Sequence, residues 1–219
     1  MSNVTLNLRQ ALDRAVSAYH TGELREAEQL CLGIIAVRQD LFEAFHLLAV
    51  VQSKLGKKDA ALVSYDRALA LRPDWVDVLC NRGLTLKEMR RLEEALASYD
   101  RALAIQPDYA EALSNRGNVL HDLKRFADAL ASYDRALTLR PDYAEALSNR
   151  GNTLRQLRRA EEALASYDRA LELRPDFVEA LTNRGNTLHE LNRFEEGWHI
   201  MIARLPCGRA LSKCIAIAE

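Results

Sequence analysis

The sequence predicts an all-α fold, a solenoid of antiparallel helix pairs built on a 34-residue repeat. Three observations carry this reading. Near-identical text recurs, with ALASYDRAL at Ala95–Leu103, Ala129–Leu137 and Ala163–Leu171, and ALVSYDRAL at Ala61–Leu69. The triplet NRG begins at Asn81, Asn115, Asn149 and Asn183, and prolines fall at Pro73, Pro107, Pro141 and Pro175, each series stepping by 34. Between the prolines, apolar residues are spaced by three and four, the period of a helix with one buried face. Each repeat is then one supersecondary unit that buries its apolar side only against its neighbours.

The repeats divide as 8–41, 42–75, 76–109, 110–143, 144–177 and a partial 178–197. In the divergent first repeat, Ala11, Ala15 and Ala18 share a helical face, Gly22 supplies a turn, and Ala27, Leu30, Cys31 and Ile34 form a second stripe. The third repeat shows the pattern of the rest. A first helix over Trp75–Glu88 carries Val76, Leu79, Gly83 and Leu86 on one face. Met89–Arg91 turns the chain, and a second helix over Leu92–Ile105 buries Leu92, Ala95, Leu96, Tyr99, Ala102 and Leu103. Pro107 has no place inside that helix and separates it from the next. Asp108 is expected to cap the helix that follows. Gly83, Ala95 and Ala102 are small where helices must approach closely. Tyr65, Tyr99, Tyr133 and Tyr167 lie on the buried faces of second helices, so they are core and not a stacking platform for bases.

Composition excludes several function classes. Lys plus Arg number 30 against 31 Asp plus Glu, so there is no basic excess for nucleic acid. The four cysteines (Cys31, Cys80, Cys207, Cys214) form no CxxC pair, and reduced thiols in a cytoplasmic protein are expected. His20, His46, His121, His189 and His199 are scattered without zinc spacing. No Gly-rich phosphate loop, GxSxG or Cys/His constellation occurs. The expectation is no catalytic residue, no metal and no cofactor. There is no signal-type apolar start and no run near the ~18 apolar residues of a membrane span, so no membrane partner is expected.

These repeats resemble tetratricopeptide repeats. That family pattern places Gly or Ala in the first helix, Ala in the second, an aromatic four residues on, Ala three later and Pro five after that. Gly117, Ala129, Tyr133, Ala136 and Pro141 match it within one repeat, and the resemblance covers about Leu8–Gly197. It implies a right-handed superhelix of five complete helix pairs and a damaged sixth. One feature departs from the pattern: Arg82, Arg116, Arg150 and Arg184 stand where the family usually has an aliphatic residue. Their period matches that of Asp66, Asp100, Asp134 and Asp168, so the two series are expected to pair along the solenoid.

First helices line the concave side of such a solenoid, the usual binding surface. Asn81 opens a ladder there that continues as Asn115 with Asn118, Asn149 with Asn152 and Asn183 with Asn186. A spacing of three puts both amides on one helical face. An amide donates and accepts, so it can hold a peptide backbone without reading side chains. The alternative is that these amides tie adjacent helices together, and the second amide of each pair is the weaker candidate for ligand. The ladder resembles that of the repeat domain of O-linked N-acetylglucosamine transferases, which implies a grip on extended protein substrate. Residues that vary between repeats are candidates for specificity: Glu111, Ser114, His121 and Asp122, then Glu145, Ser148, Arg155 and Gln156, then Glu179, Thr182, His189 and Glu190.

Beyond Glu196 the repeat text breaks, and residues 198–219 have no counterpart upstream. Back-translation explains them. Read from the third base of the Gly197 codon, permitted codons spell Leu, Ala, His or Tyr, Tyr, Asp, Arg, Ala, Leu, Ala, Leu or Val, Arg, Pro, beside LASYDRALELRP at Leu164–Pro175. Further on they allow GFVEVHCNRG, beside DWVDVLCNRG at Asp74–Gly83. The expectation is a frameshift that truncated a longer protein, with self-association possible through the exposed C-terminal end. The functional expectation is a non-catalytic scaffold that binds an extended peptide or a partner helix in its concave groove. The alternative is the substrate-presenting repeat region of a protein O-glycosyltransferase whose catalytic domain is missing.

Overall fold

The computed structural model describes residues 2–193, with side chains from residue 7 onward. Among them are eleven helices and no strand. The chain divides into two compact units, Met1–Leu123 and Lys124–Glu219. The first unit holds α1 (Ser2–Thr21), α2 (Leu24–Val37), α3 (Phe42–Lys54), α4 (Lys58–Leu71), α5 (Val76–Glu88), α6 (Leu92–Ile105) and α7 (Ala110–Asp122). The second holds α8 (Phe126–Leu139), α9 (Ala144–Gln156), α10 (Ala160–Leu173) and α11 (Val178–Glu190). The segments 194–197 and 198–219, the end of the sixth repeat and the expected out-of-frame tail, lie outside the described residues.

Helices of 13 and 14 residues are marginal alone in water, so packing of the apolar stripe holds them. In the first unit each helix packs on the next, and the first helices α1, α3, α5 and α7 also touch one another in series. Among the described residues the second helices α2, α4 and α6 make no such contact, so first helices occupy the closely packed side. In the second unit α9 and α11 meet directly in the same way.

Most of the expected buried positions are filled, while Val76, Leu92 and Leu103 are half-buried. Ala95, Ala102, Ala163 and Ala170 are fully buried, and Tyr65, Tyr99, Tyr133 and Tyr167 are core. Ring and glycine interlock: a Cβ on Gly83 would stand 2.9 Å from the Tyr99 ring, and Gly151 faces the Tyr167 ring in the same way. A larger residue there forces the helix pair apart.

Arginine and aspartate pair as their common period implied. Arg82 Nε donates to Asp66 at 2.8 Å and Arg150 Nε to Asp134 at 2.6 Å, and Arg116 and Arg184 reach Asp100 and Asp168 likewise. Arg82 and Arg150 also donate to Ser98 and Ser166. Each of these two guanidiniums therefore links the second helix of the preceding repeat to that of its own.

Helix ends follow a single plan. The residue after each first helix's last turn is left-handed: Gly22 (φ 84), Gly56 (φ 77), Arg90 (φ 61), Lys124 (φ 61), Arg158 (φ 61) and Asn192 (φ 57). At Arg90 the N–H reaches Lys87 O at 2.9 Å and the Arg91 N–H reaches Leu86 O at 2.9 Å, which satisfies two orphan carbonyls of α5. The expected cap by Asp108 is corrected. The N-cap of α7 is Tyr109, with no side-chain cap hydrogen bond. Pro107 and Asp108 form the turn, which places the aromatic residue at the helix entrance and Asp108 one position too early to reach it.

Candidate functional site

The ladder asparagines all stand on first helices, Asn81 on α5 and Asn115 on α7 in the first unit, Asn149 on α9 and Asn183 on α11 in the second. All four are half-buried. The carbonyls of Asn81, Asn149 and Asn183 accept from Thr85, Thr153 and Thr187 one turn on. The side-chain amides of Asn81, Asn115 and Asn183 have no hydrogen bond among the described residues.

The second amides differ. Asn152 Oδ1 accepts from Tyr167 OH at 2.7 Å, so this amide serves the buried tyrosine of its own repeat. Where Leu84 replaces that amide, Tyr99 OH is buried without a partner. Asn118 is half-buried and Asn186 exposed. His121 is half-buried, His189 exposed, and Arg155 lies 3.7 Å from Glu190. Ser114 and Ser148, also specificity candidates, are buried.

Sequence reasoning missed a cavity of about 630 Å³ in the first unit. Leu12 and Val16 of α1, Leu47 and Val50 of α3, and Trp75 and Tyr109 at the entrances of α5 and α7 supply its apolar wall, and Asn81 borders it. The signal was present in the 34-residue register. Leu47 and Val50 hold the places that Asn115 and Asn118 hold two repeats later, so the first-helix face is apolar near the N-terminus and polar beyond.

Charge at this cavity is unevenly neutralised. Glu43 pairs with Arg72 at 2.7 Å, and Arg72 stacks over Phe42 and Trp75. Glu145 pairs with Arg174 at 2.9 Å, and Arg174 stacks over Phe177, so this is a repeated device. In the third repeat Gln106 stands in place of the arginine, and among the described residues Asp77 has no ion pair, its hydrogen bond coming from the Tyr109 hydroxyl at 3.4 Å. Burial, with Asp77 close by, pushes the Tyr109 phenol up to about 12. His46 Nε2 is buried without a partner, and burial holds the ring below its ordinary range, towards the neutral form. Burial pushes the Cys31 and Cys80 thiols up to about 12, which leaves neither a thiolate nucleophile. Among the described residues no cluster of His, Cys, Asp or Glu could hold a metal ion. No described helix is long and apolar enough to cross a membrane.

Family models described as tetratricopeptide repeat match residues 42–74, 108–176 and 166–199, and one described as TPR repeat matches residues 91–124. No curated protein matches the chain. Solved structures are similar in fold. YrrB, described as a TPR protein with an unusual peptide-binding site, is 22% identical with a TM-score of 0.69, over 78% of this chain and 89% of its own. A tetratricopeptide repeat protein from Parabacteroides merdae is 19% identical with a TM-score of 0.78, over 90% of this chain and 78% of its own. MamA is 17% identical with a TM-score of 0.70, over 76% and 91%.

Proposed function

The chain belongs to the tetratricopeptide-repeat family, and from that premise we propose that it is a non-catalytic protein-interaction scaffold that binds an extended peptide along its first helices. The observation that carries this is the set of amides at Asn81, Asn115 and Asn183. They sit at one register of the repeat and have no hydrogen bond among the described residues. Half-buried amides without partners leave donors and acceptors ready for a peptide backbone. The Arg–Asp pairs and the Asn152–Tyr167 bond occupy other polar groups of the same repeats, so the ladder amides are not needed to hold helices together. The protonated thiols fit a scaffold better than cysteine chemistry. The YrrB description, a peptide-binding site on this fold, supports the same reading. We place the protein in the cytoplasm, where Cys31 and Cys80 persist as free thiols.

The test is a peptide array probed with the full chain and with the Asn115→Ala and Asn183→Ala variants. Losing a hydrogen-bonding amide costs about 1 kcal/mol, so each variant should weaken binders roughly five-fold with unchanged thermal stability. Binders indifferent to both substitutions, in a folded chain, would sink the ladder reading.

A further inference from the structure

We propose that the cavity of the first unit is an anchor site for one bulky apolar side chain of the bound peptide, and that Asp77 at its edge selects a lysine or arginine beside that anchor. This rests on the peptide-binding reading above and names the class of peptide. The cavity, about 630 Å³, lies in the range of small-ligand sites and exceeds what one aromatic side chain fills. Its wall is apolar where the later repeats present amides, so this end of the face takes a side chain and not a backbone. Asn81 borders the same cavity with a free amide, which would hold the backbone of the residue whose side chain enters.

Charge decides the neighbour. Arg72, the guanidinium at the cavity, is already held by Glu43 and by two aromatic faces. Asp77 is the carboxylate whose arginine the sequence has replaced with Gln106. Among the described residues its one hydrogen bond comes from Tyr109, which stays neutral and supplies no charge. His46 is held towards its neutral form by burial and does not repel a cation. An acidic peptide meets the unneutralised Asp77 at the rim; a basic one supplies the charge that the third repeat lacks. Trp75 belongs to the wall and reports occupancy directly.

The experiment uses the full chain carrying Trp198→Phe, which leaves Trp75 as the single tryptophan. Its emission is titrated with synthetic nine-residue peptides that carry a central phenylalanine flanked by lysine, serine or glutamate. The lysine-flanked peptide should bind about ten-fold more tightly than the glutamate-flanked one, an interval that narrows as salt screens the exposed rim. Asp77→Lys should reverse the order, and Asp77 is exposed, so the variant should fold. Val16→Glu, also at an exposed position of the wall, should weaken all three peptides. Equal affinities, or an order unchanged by Asp77→Lys, overturn the proposal. Array binders that need Asn115 but ignore Asp77 overturn it and leave the groove reading standing; an array with no binders overturns both.

Discussion

Tyr99 and Tyr167 are equivalent residues in two repeats, both fully buried, yet only one of their hydroxyls is satisfied. The difference is one side chain on the facing first helix, Asn152 in one repeat and Leu84 in the other. An unpaired buried hydroxyl costs about 1–3 kcal/mol, and Leu84 is 42% exposed, so its apolar burial recovers little. Leu84→Asn should therefore raise stability by about 1 kcal/mol in chemical denaturation. The same substitution made together with Tyr99→Phe should give no gain, because the acceptor then has no phenol to serve. A gain that survives Tyr99→Phe would assign the effect to the helix surface instead. The sequence showed the tyrosines as core and the amides as a ladder. It did not show that Asn152 belongs to Tyr167, because the two residues stand on different helices and meet only when the helix pair closes.

At the level of the element, the turn between first and second helices is where local preference and fold disagree. Gly22 and Gly56 accept the left-handed backbone without penalty, whereas Arg90 and Arg158 adopt it with a Cβ. That conformation costs an ordinary residue roughly 1–2 kcal/mol, part of which the greater freedom of unfolded glycine takes back. Arg158→Gly should stabilise the chain by about 0.5–1 kcal/mol with an unchanged denaturant slope. Arg90→Gly should behave alike, since the Arg90–Asp122 contact it loses, at 3.6 Å and with the arginine exposed, is worth little. Helix limits were legible here because apolar spacing stops at Glu88 and restarts at Leu92. The left-handed residue between them was hidden by an arginine, and only the glycines at the same register of the first two repeats betray it. The Asp108 cap failed for a related reason. Capping preference says which residues suit a helix start, not which one stands there, and the turn at Pro107 moved the start onward by one residue.

For the whole molecule the governing property is locality. Among the described residues of each unit, helices touch their neighbours in the repeat order and nothing more distant, so stability is roughly a sum of repeat and nearest-neighbour terms. Gly83→Ala probes this, because its Cβ would stand 2.9 Å from the Tyr99 ring and overpacking of that kind costs about 1–3 kcal/mol. In native-state hydrogen exchange the loss of protection should concentrate in α5 and α6 and in α4 and α7, which pack on them, while α9 to α11 keep theirs. Equal loss throughout the chain would mean that the array unfolds as one cooperative body. The distinction bears on function. Asn81 and the cavity wall depend on α5, whereas Asn149 and Asn183 do not. In a local array this variant should therefore weaken binding at the apolar anchor and leave binding at the amides of α9 and α11 unchanged.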